Sequence, residues 1–151
     1  MALVSWVKTR YMEPKVIRQG EGLRLLGGRQ TIQLGASDTS GLVSVMFSVV
    51  PAGSGIPLHT HQNEDEIFQV VEGSLEVTVD GRVHLLENGD MIFLPRLVPH
   101  GFKALSAVKM WVCFTPGGVE RMFIELATLP PGPPDPVALR AIGGRYGITF
   151  G

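Results

Sequence analysis

One stretch of the chain, residues 53–73, constrains the fold more than any other, because it sets two histidines two positions apart and a carboxylate shortly after them. Residues i and i+2 of a β-strand point to the same face, so His59 and His61 can present both imidazoles to one point in space. The polar residues 62–65 predict a turn or bulge, after which Glu66 opens the next strand and directs an oxygen at the same point. The stretch therefore predicts two consecutive strands whose side chains converge on one site.

A third histidine, His100, follows a predicted strand at residues 91–94 and a loop bracketed by two prolines. Three imidazoles and a carboxylate suit iron, manganese, nickel, cobalt, copper or zinc better than calcium or magnesium. We therefore expect one divalent transition-metal ion, of open identity, on His59, His61, Glu66 and His100. The alternative makes the histidines ordinary polar residues of an edge strand and residues 64–66 a solvated turn. We disfavour it because Glu66 and His100 complete a ligand set.

In two sequence motifs, the chain resembles the cupin family. The first family motif is Gly, five residues, His-x-His, three or four residues, Glu, six residues, Gly. Here it is matched at every position, by Gly53, His59, His61, Glu66 and Gly73. Asp65 would satisfy the shorter spacing but would leave Gly73 one residue too far away, so Glu66 is the better choice.

The second cupin motif is matched around His100. Gly89, Pro95 and His100 occupy their expected positions, whereas Leu97 stands where the family has a glycine and Ala104 where it has an asparagine. Both family residues form turns and scaffold rather than bind metal. The two departures therefore concern the local turn geometry more than the metal.

The resemblance implies an all-β fold, a double-stranded β-helix or jelly-roll barrel with short C-terminal helices. The 19 glycines and 11 prolines independently indicate many turns and short strands. A length of 151 residues fits one domain, residues 1–151, with a barrel core at about 30–115 and a helical tail at about 118–151. In that tail, Asp135 and Pro136 predict an N-cap and the first position of a helix that runs to about Ile142.

Several strands are predicted with a definite inward face. In the strand at residues 42–50, Ser44 and Ser48 indicate a wetter face that meets either solvent or the barrel pocket. After the Asp80-Gly81 hairpin turn, Val83 and Leu85 are predicted to face in and His84 to face out. Short strands are also predicted at residues 6–7 and 16–17.

Composition and charge exclude some partners and indicate others. The formal net charge of −1, without a basic cluster, argues against nucleic acid. No apolar run of about 18 residues is present, so no membrane span is expected. Cys113 is the only cysteine, which excludes an intrachain disulfide and suits a cytoplasmic location. Residues 108–114 are apolar on both faces, and together with the Trp6 region they predict a homodimer.

The resemblance further implies a metal site with an open coordination position inside an apolar barrel, lined by residues such as Phe68 and Phe102. Such a site suits a small, flat, partly apolar substrate with adjacent oxygen atoms. We expect a metal-dependent dioxygenase of the quercetin dioxygenase type, acting on a flavonol-like or other small oxygenated compound. Glu66 would be both ligand and proton acceptor. Two alternatives stay open: a non-redox isomerase or lyase acting on a small oxo-acid or sugar, and a non-enzymatic cupin that binds a small molecule.

Overall fold

The computed structural model describes residues 12–151 of the chain. The strands are β1 (Leu23–Leu25), β2 (Gln30–Leu34), β3 (Ser44–Val50), β4 (Gly55–His61), β5 (Asp65–Glu72), β6 (Leu75–Val79), β7 (Arg82–Leu86), β8 (Met91–Leu94), β9 (His100–Ala104), β10 (Val108–Thr115) and β11 (Ile148–Phe150). The helices are α1 (Glu120–Leu126) and α2 (Pro136–Arg145). Residues 16–17 form no strand, so that prediction is wrong, whereas the strand predicted at residues 6–7 lies outside the described residues.

The strands form two antiparallel sheets. One has six strands in the order β1-β2-β3-β10-β5-β8, and the other has five in the order β11-β4-β9-β6-β7. Consecutive strands of the chain repeatedly cross from one sheet to the other, as β3 to β4 and β4 to β5 do. This arrangement confirms the predicted all-β jelly-roll fold with short C-terminal helices. Within residues 12–151, neither helix is long and apolar enough to cross a membrane.

The core lies between the sheets, and alternation along β3 and β10 builds much of it. In β10 every second side chain is buried, and these are Val108, Met110, Val112 and Phe114. Across from them in β3, Ser44, Met46 and Ser48 are all less than 5% exposed. Of the two environments predicted for the serine face, the barrel interior is therefore the right one.

The inward face of β7 is opposite to the predicted one. Val83 and Leu85 are 63% and 58% exposed, whereas Leu86 is 4% exposed. Leu86 pairs with the buried Leu75 of β6, and cross-strand partners share a face, so the even-numbered residues of β7 point inward. His84 has the parity of Leu86 and is nevertheless exposed, because β7 is the outermost strand of its sheet.

The C-terminal segment ends beside the strand that carries the histidine pair. Asp135 caps α2 as predicted, with its carboxylate accepting a hydrogen bond from the Ala138 N–H at 3.0 Å. The helix then continues through Arg145 instead of ending near Ile142, and Gly147, at φ 73°, reverses the chain. β11 pairs with β4, which brings Ile148 opposite His61 and Phe150 opposite His59.

Candidate metal centre

Three strands from both sheets place the four predicted ligands in the interior. β4 carries His59 and His61 at alternate positions, and β9 carries His100 directly across from His59. Glu66 comes from β5 in the facing sheet. The four side chains therefore meet across the space between the sheets, where each residue is at most 6% exposed.

The predicted ligand atoms converge closely. One ligand atom from each of the four residues lies within 4.8 Å of those of the other three. Glu66 Oε2 is 2.9 Å from His100 Nε2 and 3.3 Å from His61 Nε2. The His59 and His100 rings are 4.5 Å apart between centroids, and the His61 and His100 rings are 5.4 Å apart. Of the two carboxylates allowed by the motif spacing, Glu66 is thus the one in the cluster.

Asp65 points away from the cluster, as strand alternation requires. Its carboxylate oxygens accept hydrogen bonds from the guanidinium of Arg96 at 3.1 and 3.0 Å, and one of them also accepts the Arg96 backbone N–H. This ion pair fixes the loop before His100 to the start of β5. Asp65 therefore positions the loop that precedes His100 and contributes no oxygen to the cluster.

The outer nitrogen of each imidazole faces an oxygen. His59 Nδ1 lies 2.8 Å from the Pro57 carbonyl oxygen, and His100 Nδ1 lies 3.3 Å from the Val98 carbonyl oxygen. Outer contacts of this kind orient the imidazoles of metal sites and set their tautomer. In both rings, Nε2 faces the centre of the cluster, where that of His100 lies 2.9 Å from Glu66 Oε2.

Glu64 supplies the corresponding oxygen for His61, and sequence reasoning missed it. Its Oε1 lies 3.4 Å from His61 Nδ1, longer than a good hydrogen bond, and the residue is only 4% exposed. In the sequence, Glu64 belongs to an acidic run that a solvated turn would explain equally well. Only the fold, which covers this turn, distinguishes a buried carboxylate from a solvated one.

Burial and mutual charge determine the pKa values in the cluster. Burial lowers the pKa of His59 to about 4. Burial also disfavours the charged form of His61, but the Glu64 and Glu66 carboxylates outweigh it and raise the pKa of His61 to about 9. Burial alone would raise the pKa of Glu66, yet hydrogen bonds from His100 and His61 hold it at about 2. Near neutral pH, these groups by themselves place an ionised Glu66 beside a protonated His61.

The donor set fits a transition-metal ion. Buried ionisable groups are costly unless a counter-charge or a metal compensates them, and here one carboxylate lies among three imidazoles. A divalent cation at the centre would neutralise Glu66 and use the inward nitrogen lone pairs of His59, His61 and His100. The cluster is therefore able to hold a metal ion, and nitrogen-rich coordination favours the first-row transition metals.

A cavity of about 140 Å³ that is open to the surface reaches Glu66, the member of the cluster that lines it. Glu66 lines it, together with Phe68 and Phe102, whose rings meet edge to face at 5.4 Å between centroids. The exposed residues Leu26, Arg29 and Ser54, which also line the cavity, mark its mouth. Both predicted pocket residues thus lie where a molecule in contact with the cluster would touch them.

The two departures from the second motif have different structural consequences. Leu97 adopts φ 68°, the left-handed region that favours glycine, and its N–H donates to the His61 carbonyl at 2.8 Å. Ala104 is fully buried, and its backbone exchanges hydrogen bonds with residues 53 and 54. Leu97 therefore occupies a backbone conformation that favours glycine, and the backbone of residue 104 joins the two motifs.

Comparisons with known proteins agree with this architecture. A family model described as "Cupin domain" matches residues 45–115. The quercetin 2,3-dioxygenase of Bacillus subtilis (strain 168) is 35% identical over 107 residues, which cover 70% of this chain and 32% of that protein. An uncharacterized protein of Methanocaldococcus jannaschii is 28% identical over 112 residues, covering 73% of this chain and 85% of that protein.

Solved structures give the same fold. An RmlC-like cupin from Shewanella frigidimarina superposes with a TM-score of 0.60 at 21% identity, over 72% of this chain and 96% of that one. At this identity the likeness concerns the fold alone. The chain spans about a third of the length of the Bacillus dioxygenase that it matches.

Proposed function

The chain belongs to the cupin family, and we propose that it is a metal-dependent dioxygenase acting on a small oxygenated organic compound, flavonol-like or simpler. One observation carries the proposal: Glu66, which belongs to the buried cluster with three histidines, lines an apolar cavity that is open to the surface. A closed structural metal site would need no such access. The likeness to the Bacillus quercetin 2,3-dioxygenase over 70% of the chain supports oxygen chemistry over other metal-assisted reactions.

In this proposal His59, His61 and His100 hold the metal, and Glu66 completes its protein ligands. The metal, when bound, would act as a Lewis acid toward two adjacent oxygens of the substrate and would orient the substrate for reaction with dioxygen. A dioxygenase places both oxygen atoms in its products. In an oxidative ring cleavage the organic substrate supplies all four electrons that reduce dioxygen, so the proposed reaction requires no separate reductant.

Glu66 is suited to move a proton as well as to bind. Both of its contacts with imidazoles use Oε2, and the residue also lines the cavity. A substrate hydroxyl beside this carboxylate could pass its proton to it at hydrogen-bond distance. Phe68 and Phe102 would hold the flat body of the substrate and limit the water around the reacting atoms.

Dioxygen uptake tests the proposal directly. The metal-loaded protein is mixed with quercetin and with the one-ring hydroxy-ketone maltol in an oxygen-electrode cell, and one dioxygen should be consumed for each substrate molecule transformed. His84→Ala, which changes an exposed histidine outside the cluster, should behave as wild type. Tight binding of these compounds without oxygen uptake would overturn the proposal. It would leave a non-redox metal enzyme or a small-molecule-binding cupin.

A further inference from the structure

The cavity beside the cluster is small for a flavonol. Its volume of about 140 Å³ is close to the roughly 150 Å³ of a protein cavity that accommodates benzene. Pockets that enclose drug-sized ligands have volumes of about 300–1,000 Å³. The space next to Glu66 therefore fits one ring with small substituents, whereas a flavonol has a fused pair of rings and a phenyl ring.

The walls of the cavity leave little room for adjustment. Met46, Phe68 and Met110 line it from three strands, and each is 1% exposed. Val112, 5% exposed, lies beside them. Close-packed side chains of this kind do not move apart without loss of contacts elsewhere in the core. The buried wall of the cavity is thus formed by the β3, β5 and β10 framework, whereas exposed residues form its mouth.

Phe102 is the wall residue most able to set the size limit. It is only partly buried, it lines the cavity from β9, and its ring meets the ring of Phe68 edge to face. β9 also carries His100, two residues earlier. The Phe102 ring therefore stands close to the cluster and would meet the second ring of a larger substrate.

We propose, as an inference that rests on the proposed function, that this cavity selects one-ring compounds with two adjacent oxygens. Phe102 excludes the additional rings of a flavonol. The adjacent oxygens face the metal ligands, and the single ring lies against the side chains of Phe68 and Phe102 that line the cavity. The substrate class is then that of cyclic hydroxy-ketones or aromatic hydroxy-acids of about ten non-hydrogen atoms.

A matched pair of ligands tests this selection. Maltol and 3-hydroxyflavone share the hydroxyl-ketone unit of a 4-pyranone ring, and 3-hydroxyflavone adds a fused ring and a phenyl group. Their affinities for the metal-loaded protein are measured by titration calorimetry, with bound metal determined again afterwards. Wild type should bind maltol at least tenfold more tightly than 3-hydroxyflavone. Equal or tighter binding of 3-hydroxyflavone, or no binding of maltol, would overturn the inference.

Two variants show whether Phe102 is responsible. Phe102→Ala should raise the affinity for 3-hydroxyflavone at least fivefold relative to maltol. Leu85→Ala truncates an apolar side chain that is 58% exposed and does not line the cavity, so it should keep the wild-type ratio of the two affinities. If the ratio of the affinities for 3-hydroxyflavone and maltol is the same in Phe102→Ala as in wild type, Phe102 does not set the size limit.

The outcomes separate this inference from the proposed function. Selective binding of maltol without oxygen uptake would contradict the dioxygenase assignment and leave the size limit standing. Oxygen uptake with quercetin, accompanied by equal binding of maltol and 3-hydroxyflavone, would support the dioxygenase assignment and contradict the size limit.

Discussion

At the scale of single residues, Leu97 shows what a motif position demands of the backbone. The cupin motif has glycine here, and Leu97 adopts a left-handed conformation at φ 68°, which glycine reaches without strain. For a residue with a Cβ, this conformation costs about 1–2 kcal/mol of free energy. Its side chain is 61% exposed, so it recovers little of that cost by packing.

Leu97→Gly should therefore stabilise the protein. The relief of strain exceeds the extra chain entropy of glycine, about 0.5–1 kcal/mol, and leaves a gain of up to about 1 kcal/mol. A rise in Tm of about 1–4 °C is expected by calorimetry. Leu97→Ala is the control, because it shortens the side chain and keeps the strained φ, and it should give no increase. A lower Tm for Leu97→Gly would contradict the claim that the positive φ of Leu97 destabilises the protein.

The protonation of His61 predicts how metal uptake depends on pH. Its pKa of about 9 means that it carries a proton at pH 7, which a metal must displace. Glu66, with a pKa of about 2, and His59, with a pKa of about 4, are already deprotonated at pH 7. Apparent metal affinity should therefore rise about tenfold per pH unit from pH 7 to 8.5 and level off above about pH 9.

A competition titration with a chelator of known pH dependence measures this slope. Glu64→Gln is the informative variant, since removal of that carboxylate lowers the pKa of His61 and moves the plateau to lower pH. Glu72→Gln, which changes an exposed carboxylate that contacts Lys109 instead of an imidazole, should keep the wild-type profile. An affinity independent of pH between 7 and 8.5 would exclude a protonated His61.

The residues that bear on the cluster differ in how far the sequence could predict them. The spacing of His59, His61 and Glu66 is sufficient, because strand alternation converts it directly into a shared face. Glu64 could not be predicted as part of the site. Its burial depends on how the turn after β4 packs, and nothing in a run of three acidic residues distinguishes the buried members from the solvated one.

At the scale of elements, a strand can be predicted even where its inward face cannot. This happens when apolar residues occupy both odd and even positions of the strand. In β7, Val83 and Leu85 favour one face and Leu86 the other, and pairing of Leu86 with Leu75 decides the outcome. The end of α2 illustrates a second limit. Gly143 can remain helical because it is buried against β11, where an added Cβ would meet Phe150 and Ile148.

The outward face of the six-stranded sheet is unusually apolar. Val49, Val71, Met91 and Phe93 are 36–61% exposed there, around the edge-to-face pair of Phe47 and Trp111 at 4.9 Å. Antiparallel sheets usually present polar side chains on the face that meets solvent. Contiguous apolar surface of this kind is typical of a protein–protein interface.

A homodimer through this sheet stays our prediction for the whole molecule, along with the single domain and the cytoplasmic location; the Trp6 region lies outside the described residues. Light scattering should give twice the chain mass of 16.3 kDa. Phe93→Glu should shift the protein to monomers, because it places a charge within the apolar face. Val83→Glu, at an exposed apolar residue of the other sheet, should stay dimeric. A monomeric wild type would contradict the prediction.

For the whole molecule, the central claim is that the barrel exists to hold a metal ion on His59, His61, Glu66 and His100. Metal content by mass spectrometry, on protein purified without chelators or metal-affinity columns, tests it most directly. We expect nearly one first-row transition-metal ion per chain in wild type and in His84→Ala, and loss of most of it in His61→Ala. A folded wild type without metal, or a His61→Ala variant that retains the full content, would contradict the claim.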